Sequence, residues 1–354
     1  MKTLLRILTI LAIIIFVGIY SNGKQDDTPI LKGPGTKEPQ VDEEDMLDGK
    51  GEQSDPGVSA QGVASFINKS AEELVAQLGE PDRIDPSAYS YEWWIYHISD
   101  QEYLQVGIER SKVVTIYAAG EDSDIKPFKI GQSIKEIYQN SSVESEIVVQ
   151  VNGGTYRFEL SEEDLYTRML TMIGDVYAQL YLDQYTGELV SIRLFNKETL
   201  VEQRPYEMVY RGELMEEKEI PEERWEEISE GSELQILDIT NIIRSNYDAN
   251  PVEWDEQTAL VAEEHSKDMF EEDYFSHESP TSGTLADRLE NAGIPFGMAG
   301  ENIAAQYADG PAAVHGWLNS EGHRKTLLEQ DFTHIGVGVY RKYYTQNFIQ
   351  RFEQ

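Results

Sequence analysis

Residues 334–339, His334-Ile335-Gly336-Val337-Gly338-Val339, alternate β-branched residues with glycine, and after a short tyrosine turn the stretch from Thr345 to Phe352 resumes an extended pattern. Period-two alternation predicts a strand, and two such runs joined by a few residues predict an antiparallel pair. No helix follows the two glycines, as a phosphate loop requires, so they read as positions of close strand packing. Upstream, Leu234, Leu237, Ile239 and Ile242-Ile243 recur at helical spacing and lead to a break at Asn250-Pro251. Leu260, Val261, Ala262, His265, Met269 and Phe270 form the apolar face of a second helix that ends at Tyr274-Phe275. Asp309-Gly310-Pro311 opens a third, whose Val314, Trp317 and Leu318 share a face. Helices and an antiparallel pair within residues 234–354 predict an α+β sandwich.

Residues 58–212 contain a duplication. Ile67-Asn68-Lys69-Ser70-Ala71-Glu72-Glu73-Leu74 matches Ile130-Gly131-Gln132-Ser133-Ile134-Lys135-Glu136-Ile137, and each reads as a Ser-capped helix start. Tyr103-Leu104-Gln105-Val106-Gly107-Ile108 matches Tyr177-Ala178-Gln179-Leu180-Tyr181-Leu182, and each is followed by a second strand, Val113 to Ile116 and Leu189 to Ile192. Both copies are therefore a helix followed later by an antiparallel hairpin. The aromatic run from Tyr89 to Tyr96 reads either as a glycan-stacking platform or as a strand whose rings cover the helix. No acid pair, nucleotide loop or metal spacing stands out, so the module is expected to be a scaffold or interaction unit.

Two acidic stretches punctuate the chain. Residues 24–57 are rich in Asp, Glu, Gly and Pro and poor in aromatic side chains, the composition of a disordered tether. Residues 213–233 read as an acidic linker whose Trp225 and Ile228 allow a short helix at the edge of the next domain. With so little apolar area in that linker, residues 234–354 are expected to fold alone. At the start, Lys2 and Arg6 precede an apolar run from Ile7 to Tyr20, which makes residues 1–23 a signal peptide or an uncleaved anchor and predicts export of the rest.

The 354 residues carry 29 Lys and Arg against 65 Asp and Glu, a formal charge of −36. That balance argues against nucleic acid as a partner and confines membrane contact to the N-terminal segment. The chain has no cysteine, which removes disulfides, thiolate metal sites and a Cys nucleophile, and in an exported protein points to a Gram-positive envelope.

Five of the six histidines lie in the last domain. There His265-Ser266-Lys267-Asp268-Met269, Tyr274-Phe275-Ser276-His277-Glu278-Ser279-Pro280, Gly300-Glu301-Asn302-Ile303-Ala304, Trp317-Leu318-Asn319-Ser320-Glu321-Gly322-His323-Arg324, His334 to Val339, and Tyr343-Tyr344-Thr345-Gln346-Asn347-Phe348 occur in order. In this order they resemble the motifs of a bacterial CAP (SCP-like) domain, of the superfamily of cysteine-rich secretory proteins, antigen 5 and pathogenesis-related 1. The duplicated region is similar to the CAP-associated N-terminal domain that precedes such domains in spore-forming Gram-positive bacteria. The resemblance implies an α-β-α sandwich with a central cleft, lined in eukaryotic members by two His and two Glu able to hold a divalent metal. Carried over, the first His falls on His277 and the first Glu on Glu301. The second Glu falls on Ser320 and the second His on Tyr343, while His323 is the candidate to enter the same cleft.

His277, Glu301 and His323 would suffice for a three-ligand zinc site with an open position. Without metal, Glu301 would instead hydrogen-bond a histidine and lock the motif loops together. No His-Glu-x-x-His, Gly-x-Ser-x-Gly or supported Ser-x-x-Lys pattern occurs, so the catalytic residues are unassigned. His265, His315 and His334 read as structural, and Asn302 and Arg324 as loop staples. Three functional readings follow. The leading one is an exported binding protein of the cell envelope without catalysis, whose ligand is an envelope component or protein. The alternatives are a metal-dependent hydrolase of cell-wall or protein substrates and a structural coat or matrix component.

Overall fold

The computed structural model describes residues 31–33, 40–41, 60–214 and 219–351. The segment read as a signal or anchor, residues 1–23, lies outside them, as does most of the 24–57 tether. Among the described residues no helix is long and apolar enough to cross a membrane.

A two-residue strand, β1 (Gln40–Val41), and a 3-10 turn at Gly62–Phe66 precede the first copy of the duplication. This copy holds α1 (Ala71–Leu78), β2 (Arg83–Pro86), β3 (Glu92–Ser99), β4 (Glu102–Glu109) and β5 (Lys112–Ala119). The second holds α2 (Ile134–Asn140), β6 (Glu146–Val151), β7 (Gly154–Glu159), α3 (Glu162–Thr167), β8 (Arg168–Ile173), β9 (Val176–Asp183) and β10 (Glu188–Phe195), followed by α4 (Lys197–Gln203) and β11 (Glu207–Arg211). Both helix starts are capping boxes, with Ser70 and Glu73 in one and Ser133 and Glu136 in the other exchanging side-chain and backbone bonds. Each capping serine also bridges to the second strand of its own hairpin, Ser70 to Lys112 and Ser133 to Glu188, so the two copies are wired alike.

The two hairpins join through β5 and β10 into a seven-stranded sheet of order β2-β3-β4-β5-β10-β9-β8. Leu104, Val106, Ile116, Leu180 and Ile192 turn one face of it toward Leu74 of α1 and Ile137 of α2. Strand alternation sends Tyr103, Tyr117, Gln179, Tyr181 and Arg193 to the other face, where all are buried as well. A smaller sheet, β1-β11-β7-β6, packs Val149, Phe158 and Met208 against Leu200 of α4.

The remaining elements are α5 (Glu222–Asn246), β12 (Glu253–Trp254), α6 (Glu256–Glu271), α7 (Leu285–Asn291), β13 (Met298–Ala305), α8 (Gly310–Leu318), α9 (Glu321–Leu327), β14 (His334–Tyr340) and β15 (Tyr343–Gln350). The last two strands form the predicted antiparallel pair at the centre of a sheet ordered β12-β14-β15-β13. Ile335, Val337 and Val339 face α5 and α8, meeting Ile236, Ile239, Val314 and Trp317 in one cluster. On the opposite face Gly336 and Gly338 let α6 lie directly on the strand, for a methyl group at either would overlap the backbone of Thr258, Ala259, Ala262 or Glu263. The result is the α-β-α sandwich, an α+β fold preceded by a duplicated α+β module.

Three sequence expectations are corrected. The 213–233 stretch is no simple linker, because from Glu222 onward it forms the first part of α5, a helix of 25 residues. The tether is not detached throughout: Leu31 and Gly33 bond to Ala305 at the free edge of β13, and Gln40–Val41 pairs in parallel with β11. Finally, the module and the sandwich share a core. Tyr91, Trp93, Tyr103, Tyr117 and Tyr181 belong to the same buried cluster as Ile236, Ile243, Trp317 and Phe348. Tyr91 and Trp93 thus face the sandwich, and only Tyr96 and Trp94 of that aromatic run pack with the helix-side cluster. Across the contact Arg193 forms a buried ion pair with Asp309 at 2.8 Å, and Arg324 pairs with Asp183 at 2.9 Å. Asp309 therefore does two things: it caps α8 through the Ala312 N–H and holds Arg193 of the module.

Candidate functional site

The carboxylate of Glu301, on β13, is nearly buried, with a side-chain exposure of 4%. Its Oε1 accepts a hydrogen bond from Nδ1 of His277 at 2.9 Å, and its Oε2 is gripped by the Arg288 guanidinium. Nε2 of His265 lies 3.9 Å from Oε1. Burial pushes the Glu301 carboxyl up, but the His277 bond and the positive charge of Arg288 outweigh it and hold the group below the usual carboxylate range.

Each partner is fixed by its own element. His265 projects from α6, with Nε2 bonded to the Ser276 carbonyl at 3.1 Å and Nδ1 accepting from Arg288 at 3.2 Å. Burial, with Arg288 nearby, lowers its basicity, so it is a neutral anchor for the loop that carries His277. One turn on, Asp268 accepts bonds from the hydroxyls of Ser279 at 2.6 Å, Tyr274 at 2.5 Å and Thr281 at 3.3 Å. Although partial burial raises this carboxyl, these hydroxyls prevail and lower it, and they tie the loop back onto α6. Gly283, at φ +76°, closes the loop with backbone bonds to Ser279. A Thr284–Asp287 capping box then starts α7 and presents Arg288 to Glu301, with the same guanidinium also donating to the carbonyls of His277 and Gly283.

His277 stands at the rim, its side chain 39% exposed. His323 lies beneath it, with the two rings 6.1 Å apart. His323 does not reach Glu301; its Nδ1 meets the Ser320 hydroxyl at 2.8 Å, and burial together with His277 pushes it down to about 4. Ser320, at the N-cap position of α9, gives its side chain to this imidazole instead of the helix. Tyr343 lies at the far end of β15, opposite Ala305 and among Phe270 and Phe275, whereas the residue opposite Glu301 is Asn347. Among the remaining histidines, His334 sits at the entry of β14 beside the Thr333 hydroxyl and His315 belongs to the contact between module and sandwich. Asn302 donates to Gln346 at 3.3 Å, and Arg324 staples α9 to Asp183 of the module.

The donor set does not fit a metal held by His277, Glu301 and His323. Both Glu301 oxygens are occupied, one by a guanidinium that would repel a second cation, and among the described residues no group of three or more His, Cys, Asp or Glu is spaced to hold a metal ion. The arrangement is an imidazole oriented by a buried carboxylate through Nδ1, its side chain 39% exposed and, among the described residues, with no hydroxyl hydrogen-bonded to its other nitrogen. It can exchange hydrogen bonds with a ligand at the rim. The sequence motifs include Asn347 only as part of the Tyr343–Phe348 run and do not include Arg288; the one available signal for Arg288 is the Thr284-Leu285-Ala286-Asp287 box, which starts the short helix that carries it.

Residues 67–206 match the CAP-associated N-terminal family, and residues 237–352 match the cysteine-rich secretory protein family. A protein of Bacillus subtilis (strain 168) named "Uncharacterized membrane protein YlbC" is 50% identical over 351 residues, covering 99% of this chain and all of its own length. The crystal structure of an extracellular protein containing a SCP domain from Bacillus anthracis is similar at a TM-score of 0.79 and 45% identity, over 89% of this chain and 99% of that one. A cysteine-rich secretory protein of Staphylococcus aureus aligns at a TM-score of 0.77 and 26% identity, over 91% of this chain and 98% of its own. From the six ordered motifs, the sandwich and these matches together, the chain belongs to the cysteine-rich secretory protein (CAP) family, in the form preceded by a CAP-associated N-terminal domain.

Proposed function

We propose that this is an exported protein of the bacterial envelope that acts through its rim and cleft by binding and not by catalysis. The observation that carries this reading is the engagement of both Glu301 oxygens, by His277 and by buried Arg288, where a hydrolase would need an uncommitted carboxylate, a nucleophile or a metal. Ser320 and Tyr343 at the other two positions of the tetrad support it, because neither supplies a carboxylate or an imidazole. Export is supported by Lys2 and Arg6 ahead of the apolar run and by a similar chain described as an extracellular protein. The test is an assay of the chain from Lys24 onward against peptide, ester and glycan substrates, with and without added zinc. No turnover is expected; turnover that requires the added zinc and disappears in a Glu301→Gln variant shown by its melt to be folded would establish the metallohydrolase instead.

A further inference from the structure

We propose that the cavity between the duplicated module and the sandwich binds an uncharged saccharide. The cavity measures about 800 Å³, is lined from both halves of the chain and includes none of the residues of the His277 cleft. Its lining includes Gln179 of β9, Arg193 of β10 and His315 of α8, with Tyr89, Tyr206 and Tyr307 around them. Gln179, Arg193 and His315 are exposed by only 2%, 1% and 3%. Each nevertheless carries one buried polar atom without a hydrogen-bond partner: Oε1 of Gln179, Nε of Arg193 and Nδ1 of His315.

The rest of each side chain is pinned. Gln179 Nε2 donates to the Tyr206 hydroxyl at 2.9 Å, Arg193 is bidentate on Asp309, and Nε2 of His315 meets Ser191 at 2.7 Å and Tyr117 at 2.9 Å. Gln179 and Arg193 are directly opposite in the β9–β10 register, so two of the unmet groups are neighbours on one wall. Unmet polar atoms in a core are uncommon and destabilising, and three of them belong to residues that line this one cavity, which marks its wall as the place where a ligand's own donors and acceptors would be met.

The chemistry of the wall selects the ligand. Gln179 offers an acceptor, Arg193 a donor, and the neutral imidazole either one. Hydroxyl groups both donate and accept, so they match all three, whereas an anion meets the Gln179 oxygen and a cation meets Arg193. Arg193 is neutralised by Asp309 and Arg168 by Asp164, and the other charged residues of the lining, Lys32, Arg204 and Lys342 against Glu163, Glu202 and Glu207, balance in number, which leaves little net charge to attract an ion. Tyrosine edges and faces suit the C–H surfaces of a sugar ring. The Ser191–His315 contact has the length of a nucleophile–base pair, but no carboxylate orients Nδ1 and Arg193 lies beside the ring, so the site is one of binding.

The experiment is calorimetric titration of the full chain with di-N-acetylchitobiose and with maltose, and with glucuronate as a charged control. Saturable binding of a neutral disaccharide is expected, with glucuronate at least tenfold weaker. Gln179→Leu removes the unmet oxygen while Tyr206 keeps its bond to the Arg168 carbonyl at 2.6 Å, so the variant should melt no lower than the wild type and bind at least tenfold more weakly. Ala312→Phe, on the cavity wall, fills the space without removing any of the three groups and should abolish binding. The proposal is overturned by absence of saturation with both disaccharides up to roughly 20 mM, by unchanged affinity in a folded variant of either kind, or by preferential binding of glucuronate. It does not depend on the His277 cleft, whose failure as a binding site would leave this result untouched.

Discussion

At the scale of single residues, the cleft is organised by a charge that the sequence disguises. Arg288 in an acidic chain reads as one more solvated base on a short helix, yet it is buried and holds Glu301. Removing one partner of a buried pair strands the other without compensation. Arg288→Met should therefore cost about 3–5 kcal/mol in denaturant unfolding, and the double variant Arg288→Met, Glu301→Gln should recover much of it. Equal stability of wild type and Arg288→Met would show that the pair is solvated. A half-buried acid behaves differently. Glu233 on α5 accepts the Val339 N–H at 2.9 Å, but burial, and then Glu263, Glu230 and Glu256, push it up to about 8. Its folded pKa lies above the unfolded value, so its contribution is fully present below about pH 4.5 and is lost as pH rises toward 8. Glu233→Gln should raise stability at pH 8 and leave it nearly unchanged at pH 5. A melt series in which the variant gains equally at both pH values would refute the titration.

At the scale of elements, legibility follows from how much a local signal is reinforced by packing. The Ser-x-x-Glu boxes at Ser70 and Ser133, the hairpins and the β14 alternation were readable because side-chain period and backbone geometry agree. The full extent of α5 was not, because its first turns are Glu-rich and carry only Ile228 and Gly231 into the core. Nor was the second buried face of the large sheet. Its residues are Tyr, Gln, Ser and Arg, the composition of a wet surface, and no single-sequence signal tells a polar face awaiting solvent from one awaiting another domain. In the cleft, His277 and Glu301 were found together, whereas the separation of His323 from Glu301 depends on Ser320 capturing the imidazole, a tertiary detail. The glycine pair offers an element-scale check. Gly338→Ala drives a methyl group into the Glu263 backbone and should cost roughly 1–3 kcal/mol by forcing α6 off β14. A substitution with no loss in thermal stability would mean that the helix moves away without cost.

At the scale of the molecule, the acidic boundary near residues 213–219 separates two sequence families but not two cores. The module covers the α5 and α8 side of the sandwich with Trp93, Tyr103, Tyr117 and Tyr181, and ring stacking of Tyr181 on His315 at 4.1 Å continues the apolar contact into its polar centre. Cutting there would uncover a contiguous aromatic face on one fragment and the apolar flank of two helices on the other, a situation that favours aggregation or re-association. The full chain should unfold in a single calorimetric transition. Fragments 60–214 and 219–354 produced separately should aggregate or bind a hydrophobic dye, and produced together they should co-purify as a one-to-one complex. Asp309→Asn, which removes the charge facing buried Arg193, should weaken that complex while leaving the Asp309 cap of α8 largely replaceable by the asparagine side chain. Two well-separated transitions, or fragments that fold alone and do not associate, would mean that the shared cluster is a loose contact between independent domains, and the cavity between them would then open and close with the contact.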